Sequence, residues 1–168
     1  MTAPLLDGVT FRHPTAADHA PLVARIDDWF GGRRMRARLP HAWFEHFTGT
    51  SWIAEEAGGR VVGFCVAYLS PDQPTVGVIH LVGVDPNLRR RGLGRALVDR
   101  VATDLAARGA ATVTAQVWPG DPIAIAFHRG IGFRVDEGPG TSNVYGSPGY
   151  LDLDGEGEDR SIFWRAVS

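Results

Sequence analysis

The sequence contains no lysine, because all 17 of its basic residues are arginine. This absence excludes the lysine-containing P-loop and every mechanism that forms a Schiff base on a lysine amine. Cysteine is nearly absent too, since Cys65 is the only one. A single cysteine excludes a disulfide within the chain and any zinc site that needs several cysteines. It fits a reducing compartment.

Long apolar runs are also missing. The longest, Val61 to Leu69, is far shorter than the roughly 20 residues that cross a bilayer. Met1 to Phe11 lacks the basic start and the apolar stretch of a signal peptide. The formal net charge of -2 gives no strong field that would attract nucleic acid or an acidic membrane. We therefore expect a cytoplasmic protein without nucleic-acid or membrane partners.

The sequence does contain alternating β-rich and helical segments, within a length of 168 residues that is typical of one domain. We therefore expect residues 1–168 to form a single domain with a mixed α/β fold. Strands are predicted at Val9 to Arg12, Ser51 to Glu55, Val61 to Leu69, Thr75 to Val84, Thr112 to Trp118, Phe133 to Val135 and Asp159 to Val167. Helices are predicted after the Thr15 and Asp18 capping box, over Pro40 to Phe47, from Leu93 with Gly109 as the C′ residue that ends it, and from Pro122 to near Gly130 with Asp121 as its N-cap. Gly138 to Gly157 lacks periodicity and is expected to be a long loop.

One segment carries a clear chemical signal: a strand ends at Val84 and an Arg- and Gly-rich turn then leads into the third helix. Unpaired N–H groups at a helix start, together with the helix dipole, favour a bound phosphate. Gly92 and Gly94 allow the backbone to approach the anion, and the arginines from Arg89 to Arg91 can add charged hydrogen bonds. A dinucleotide-binding Rossmann motif fits less well, because Leu97 stands where its third glycine belongs. The residues therefore predict a pyrophosphate site.

Two motifs in the sequence are separated by one predicted helix and one predicted strand. The first has Arg89, Gly92 and Gly94 in the spacing Q/R-x-x-G-x-G/A, and the second comprises Asp121, Ala124, Phe127, His128, Gly132 and Phe133. Together they resemble the two motifs that are typical of the GNAT acetyltransferase superfamily. The resemblance implies a central mixed, mostly antiparallel sheet with helices on both faces. This sheet is splayed between the strand that ends at Val84 and the strand Thr112 to Trp118.

The resemblance also implies acetyl-CoA as the acyl-donor cosubstrate. The pantetheine arm is expected in the gap between the splayed strands, with the pyrophosphate on the amides of the turn. The implied cofactor-binding residues are Val82, Val84, Arg89, Arg90, Arg91, Gly92, Leu93, Gly94, Arg95, Asp121 and Phe127. Asp121 departs from the usual Asn, and a carboxylate cannot donate a hydrogen bond to a carbonyl. No metal is expected, because the acidic stretch from Asp152 to Gly157 matches only half of a calcium loop.

Two histidines are implied as catalytic residues. A histidine at the strand position of His80 is linked, in the similar serotonin N-acetyltransferases, to deprotonation of the amine. Strand alternation predicts that its side chain shares one face with those of Val82 and Val84. A structural histidine is an equal alternative at this position. His128 stands where many relatives carry the Tyr that protonates the leaving thiolate, and a protonated imidazole could do the same.

Tyr145 and Tyr150 are alternative acids if their loop folds over the site. The backbone N–H of Val82 is expected to stabilise the oxyanion. The basic cluster of Arg33, Arg34, Arg36 and Arg38 lies where the family's acceptor site commonly begins. It suits either an amine that carries a carboxylate or a solvated surface.

The sequence therefore predicts an N-acetyltransferase that transfers an acetyl group from acetyl-CoA to a primary amine of a small molecule, by direct attack through a tetrahedral intermediate. Two alternatives stay open. One is a protein or peptide N-acetyltransferase, and the other is a non-catalytic sensor that binds acyl-CoA. A homodimer is compatible with the sequence.

Overall fold

The computed structural model describes residues 7–168. The first six residues of the predicted domain, and of the Met1 to Phe11 segment, lie outside the described residues. The strands are β1 (Val9–Arg12), β2 (Trp52–Glu56), β3 (Val61–Leu69), β4 (Val76–Val84), β5 (Thr112–Val117), β6 (Arg134–Val135), β7 (Ser142–Val144), β8 (Ser147–Gly149) and β9 (Ser161–Ala166). The helices are α1 (His19–Trp29), α2 (Trp43–His46), α3 (Leu93–Ala107) and α4 (Pro122–Gly130). No helix within 7–168 is both long and apolar enough to cross a membrane.

Seven strands form one sheet in the order β1-β2-β3-β4-β5-β9-β6. Every neighbouring pair is antiparallel except β4 and β5, which run parallel. The parallel pairing extends only from Val76–Thr112 to Ile79–Ala115, so the last five residues of β4 have no partner strand on that side. The predicted splay between the fourth and fifth strands is therefore confirmed, as is the mixed, mostly antiparallel sheet.

Helices cover both faces of this sheet. Leu97, Val101 and Leu105 recur every four residues along α3 and are fully buried against one face. Leu22 and Ile26 of α1 are equally buried in a separate cluster on the opposite face. Strand β3 lies between the two clusters, which explains why its residues 61–67 are buried without alternation.

A bulge in β4 changes which face each side chain meets. Val66 pairs with Leu81, whereas the next residue, Ala67, pairs with Ile79, so His80 is an extra residue in β4. Ile79 packs in the α3 cluster and Leu81 in the α1 cluster, which shows that the alternation shifts across the bulge. The position of His80 therefore cannot be derived from regular strand alternation.

The predicted second helix is wrong in length, because α2 covers four residues between two short 3-10 turns rather than Pro40 to Phe47. The N–H groups of Trp43, Phe44 and Glu45 donate to carbonyls three residues earlier, so the first turn of the predicted helix has 3-10 rather than α-helical bonding. The predicted loop from Gly138 to Gly157 is also wrong in part, because β7 and β8 form an antiparallel hairpin within it.

The turn of that hairpin explains why the sequence pattern missed it. Tyr145 and Gly146 both have positive φ, 51° and 84°, as a two-residue type I′ turn requires. The Asn143 side chain accepts a hydrogen bond from the Gly146 N–H at 2.9 Å. Asn or Asp usually precedes Gly in such turns. Because Tyr145 stands in that place, the sequence pattern does not predict the turn.

Candidate functional site

A cleft of about 950 Å³ opens where β4 and β5 separate. Its walls come from the C-terminal end of α1, from residues 82–84 of β4, from the turn before α3 and from α4. The cleft thus reaches both faces of the sheet. A volume of this size is typical of a site for a small molecule or a cofactor.

Beyond Ile79 the backbone of β4 contributes polar groups to this cleft, although the Val84 carbonyl already accepts a hydrogen bond from Arg89 Nε at 3.3 Å. Asp85 donates its N–H to the carbonyl of Val62 on β3 at 2.9 Å. Because hydrogen-bonded residues alternate along an antiparallel ladder, the backbone groups of Val82 and Val84 face the other edge of β4. On that edge, pairing with β5 has ended at Ile79. The two residues predicted to hold the pantetheine arm therefore line the cleft with backbone groups that no strand occupies.

The turn before α3 presents its backbone to the same cleft. Arg90 has a φ of 63° and Gly92 a φ of 84°, and successive changes of this kind turn N–H groups towards one concave surface. Nothing lies within 4 Å of the position that a Cβ on Gly92 would occupy. The turn thus leaves open space directly before the N-terminus of a 15-residue helix, where an anion is stabilised.

The arginines of the turn do not act alike. The Arg89 guanidinium donates to the carbonyl of Trp29 at the end of α1. Arg95 donates to the carbonyl of Gly130 at the end of α4, at 2.7 Å. Arg90 and Arg91 are exposed and have no side-chain partner within residues 7–168. Of the predicted cluster, only Arg90 and Arg91 keep their charges free for a ligand, and Arg90 alone of these two lines the cleft.

Gly94 leaves room for the ring of Phe127 at the start of α3. A Cβ on Gly94 would lie 2.8 Å from the ring of Phe127, closer than van der Waals contact allows. Leu93 and Gly94 are both buried at the start of α3, and both line the cleft together with Phe127. The Phe127 ring thus joins α4 to the first turn of α3, which is the position that the sequence assigned to the pyrophosphate.

Asp121 caps the N-terminus of α4 and also forms an ion pair across the cleft. Its side chain accepts a hydrogen bond from the Ala124 N–H at 3.0 Å, which confirms the predicted N-cap. The other carboxylate oxygen lies 3.0 Å from the guanidinium of Arg33, in the loop after α1. Arg33 also lies over the ring of Trp118, 4.9 Å from its centroid. This ion pair connects the two walls of the cleft.

His128 lies on α4 with only 5% of its surface exposed. Its Nδ1 lies 2.8 Å from the carbonyl of Ala124, so Nδ1 carries the proton and donates it. Nε2 is buried without a partner within 7–168 and is therefore a free acceptor. Burial lowers the pKa of His128 more than this hydrogen bond raises it. The neutral ring is thus the main form at neutral pH.

His80 lies on the opposite face from Val82 and Val84, so the prediction that all three share a face is wrong. The ring stacks on Trp43 with centroids 4.4 Å apart, and Trp43 belongs to the α1 cluster. Val82 and Val84 pack against the α3 cluster instead. The bulge at His80 is the physical reason. Burial lowers the pKa of His80, although its hydrogen bond to the Arg38 carbonyl opposes the shift.

The two loop tyrosines lie at different distances from this site. Tyr145, at the tip of the β7–β8 hairpin, lies 6.3 Å from Trp118 in an edge-on arrangement. The Tyr150 hydroxyl donates to Asp136 at 2.5 Å, and this contact raises the pKa of Tyr150. Tyr145 thus approaches the cleft mouth, whereas Tyr150 is held away by its own partner. Residues 7–168 contain no group of three or more potential metal ligands.

Sequence reasoning missed Trp118, Phe30 and Trp29 as residues of the cleft. The sequence predicts Trp118 only as the end of a strand, and it indicates no role for the two aromatic residues at the end of α1. The signal that could identify Trp118 is its position three residues before the Asp121 cap. The splay itself makes the end of β5 part of the site.

Comparison with known proteins agrees with this geometry. An L-2,4-diaminobutyric acid acetyltransferase of Nocardia farcinica is 34% identical over 92 residues, which are 55% of this chain and 47% of that protein. A mycothiol acetyltransferase of Saccharomonospora viridis is 34% identical over 126 residues, 68% of this chain and 40% of that protein. The chain thus matches less than half the length of these curated relatives.

Solved structures share the fold. The diaminobutyrate acetyltransferase of Paenibacillus lautus, in complex with L-2,4-diaminobutyric acid and coenzyme A, superposes with a TM-score of 0.71 at 23% identity, over 95% of each chain. The model of the acetyltransferase (GNAT) family matches residues 21–133, well over half of the chain. This match over more than half of the chain shows that the chain belongs to the GNAT acetyltransferase family, and the cleft between β4 and β5 agrees with it.

Proposed function

We propose that this protein is an acetyl-CoA-dependent N-acetyltransferase that acts on the primary amine of a small molecule. The observation that carries the proposal is the cleft between β4 and β5, with an anion-binding turn at one end, in a member of the GNAT family. Such a cleft can hold an extended cofactor by its backbone and leave its end open to an acceptor from the other face.

The residues of the cleft fit coenzyme A. The amides from Arg90 to Arg95 would hold the pyrophosphate at the start of α3, with Arg90 adding a free positive charge. Backbone groups of Val82 and Val84 would bond the pantetheine arm, as an added strand would. When bound, acetyl-CoA supplies the acetyl group as an activated thioester. Phe127 and Asp121 border the same path on α4.

His80 is the residue that we assign to accept the proton of the acceptor amine. Its Nε2 faces the Arg38 carbonyl at 2.5 Å, so the lone pair of the neutral ring is on Nδ1. A lowered pKa keeps the ring neutral, as a base must be. The N–H of Val82, two residues further along β4, is assigned to the oxyanion.

His128 is assigned to protonate the leaving thiolate. Its free Nε2 is the only nitrogen that could carry the transferred proton, because Nδ1 is engaged with Ala124. The lowered pKa makes the protonated form scarce at neutral pH. A thiol with a pKa near 8.5 needs only weak assistance to leave, so a small protonated fraction is compatible with turnover.

A small-molecule acceptor is supported by the relatives of the chain. Within the cleft, the Arg33–Asp121 ion pair joins the two walls beside the Trp118 ring. The curated relatives include an L-2,4-diaminobutyric acid acetyltransferase and a mycothiol acetyltransferase, both named for small molecules. A peptide acceptor is the second candidate, because a ribosomal protein bS18-alanine N-acetyltransferase of Escherichia coli is 33% identical over 76 residues.

The test is thiol release from acetyl-CoA in the presence of three acceptor sets: diamino acids, amino sugars and short peptides with free N-termini. We expect release with at least one small amine and little with peptides. Release only with peptides would support the second candidate. Calorimetric binding of acetyl-CoA without release for any acceptor would indicate the non-catalytic sensor instead.

A further inference from the structure

Arg38 is a half-buried arginine without a partner for its charge. Its side chain makes no hydrogen bond and no ion pair within residues 7–168. A guanidinium has five N–H donors and cannot lose its charge in a protein. Most of the neighbouring arginines differ: Arg33 pairs with Asp121 and Arg36 lies 3.4 Å from Asp27. Arg34 is exposed to water.

The backbone fixes Arg38 beside the proposed reaction centre. Its carbonyl accepts the hydrogen bond from His80 Nε2, at 2.5 Å, and the His80 ring is held from its other side by Trp43. Arg38 therefore lies on the α1 and α2 face of the sheet. This face is opposite to the one on which Val82 and Val84 pack, so the residue stands on the side from which an acceptor would approach His80.

The charged residues around Arg38 come from two segments, the loop after α1 and the stretch from Asp154 to Arg160. Burial lowers the pKa of Arg38, and the positive charges of Arg160 and Arg33 lower it further, while Asp154 and Glu158 raise it. Both of these carboxylates are already bonded to Arg160, each at 2.8 Å. Arg33 lines the cleft. Arg38 is thus a partly buried positive charge near two other arginines. The two nearby carboxylates are already bound to Arg160 and do not neutralise it.

We propose that Arg38 binds a carboxylate of the acceptor, so that the substrate is an amine that also carries a carboxylate group. This proposal rests on the proposed function, in which His80 is the base. A carboxylate would supply the missing counter-charge, and it can accept two parallel hydrogen bonds from one guanidinium. Anchoring the acceptor there would place a side-chain amine of the same molecule towards His80.

The test uses matched acceptors that differ only in the carboxylate. Ornithine and 2,4-diaminobutyrate are compared with 1,4-diaminobutane and 1,3-diaminopropane, which are the same molecules without that group. Calorimetry on the full chain saturated with coenzyme A measures binding, and thiol release from acetyl-CoA measures turnover. We expect the diamino acids to bind about 10- to 100-fold more tightly than the diamines, as charged hydrogen bonds allow.

The variant Arg38→Gln should remove this preference. We expect it to weaken binding of the diamino acids about 10- to 100-fold, through KM more than kcat, and to leave the diamines unchanged. Arg38→Lys should restore part of the affinity, because it keeps the charge but loses the paired donors. Arg34→Gln is the matched control, since it removes an exposed arginine of the same segment and should change nothing.

Two results would overturn the proposal. One is equal affinity of the wild-type chain for diamino acids and diamines. The other is an equal loss for both acceptor classes in Arg38→Gln, which would mean that Arg38 only supports the position of His80. Because binding is measured separately, a chain that prefers carboxylates but releases no thiol would contradict the proposed acetyltransferase activity and still support the acceptor class.

Discussion

His80 and His128 are both largely removed from water, yet their free nitrogens face different surroundings. His128 packs among the rings of Phe127, Phe133 and Phe163, with centroids 5.1 to 5.5 Å away. This apolar setting disfavours the charged ring. His80 instead lies between Trp43 and the Arg38 carbonyl. We therefore assign the two histidines to different proton transfers of the reaction.

The first prediction concerns His128 as the acid. If its protonated form donates to the thiolate, kcat should fall as pH rises through its pKa, which burial places below the ordinary 6.5. His128→Phe should lower kcat about 100-fold or more with unchanged affinity for coenzyme A. His128→Tyr should move the alkaline limb towards pH 10. A pH profile of His128→Phe identical to the wild type would show that water or Tyr145 donates the proton.

The second prediction concerns His80 as the base. His80→Gln can still donate a hydrogen bond to the Arg38 carbonyl, but it cannot accept the amine proton at any pH near neutrality. We expect kcat to fall about 100-fold at pH 7, and the deficit should shrink as pH rises and more of the amine is uncharged. A His80→Gln variant with full activity, beside an inactive His80→Ala variant, would instead assign His80 a structural role.

At the scale of secondary-structure elements, the sequence predicted those whose signals are local. The periodicity of α3, its Gly109 C-terminal signal and the Asp121–Pro122 start of α4 are all present in the structure. The bulge at His80 could not be predicted, because it depends on how β4 pairs with β3. The contacts of Arg89 and Arg95 with the ends of α1 and α4 could not be predicted either, since those carbonyls lie 60 and 35 residues away in sequence.

The capping box at the start of α1 joins three elements and leads to the third prediction. Arg12 of β1 donates to both oxygens of Asp18 at 2.8 Å, and its Nε donates to Glu55 of β2 at 3.0 Å. Asp18 also accepts from the Thr15 N–H at 2.7 Å. Burial raises the pKa of Asp18, but these hydrogen bonds lower it by more.

A carboxylate whose pKa is lowered on folding stabilises the protein above its unfolded-state pKa. This contribution is lost as pH falls through the lower folded value. Asp18→Asn should therefore cost about 1–2 kcal/mol in the free energy of unfolding at pH 7, and the difference should shrink below pH 4. Urea unfolding at several pH values measures this, with the exposed Asp72→Asn as the control. An equal cost at pH 7 and pH 3 would contradict the assignment to the ionised carboxylate.

For the whole molecule, the cleft is the place where the two core clusters meet. Arg89 links the turn before α3 to the end of α1, and Arg95 links the start of α3 to the end of α4. A ligand in the gap would contact elements from both faces of the sheet. Binding of coenzyme A should therefore stabilise the fold as a whole rather than one loop.

The last prediction is that coenzyme A raises the melting temperature. At a concentration 100-fold above Kd, a ligand that binds only the folded state adds about 2.7 kcal/mol, or roughly 5–10 °C for a chain of this size. Arg90→Glu should reduce this shift strongly, because it places a negative charge in the turn that faces the pyrophosphate. Gly94→Glu should abolish it, although the contact with Phe127 will also lower the melting temperature without ligand.

Arg129→Glu, an exposed position outside the cleft, is the control and should keep the full shift. If Arg90→Glu and the control respond to coenzyme A as the wild type does, the pyrophosphate does not lie at the start of α3.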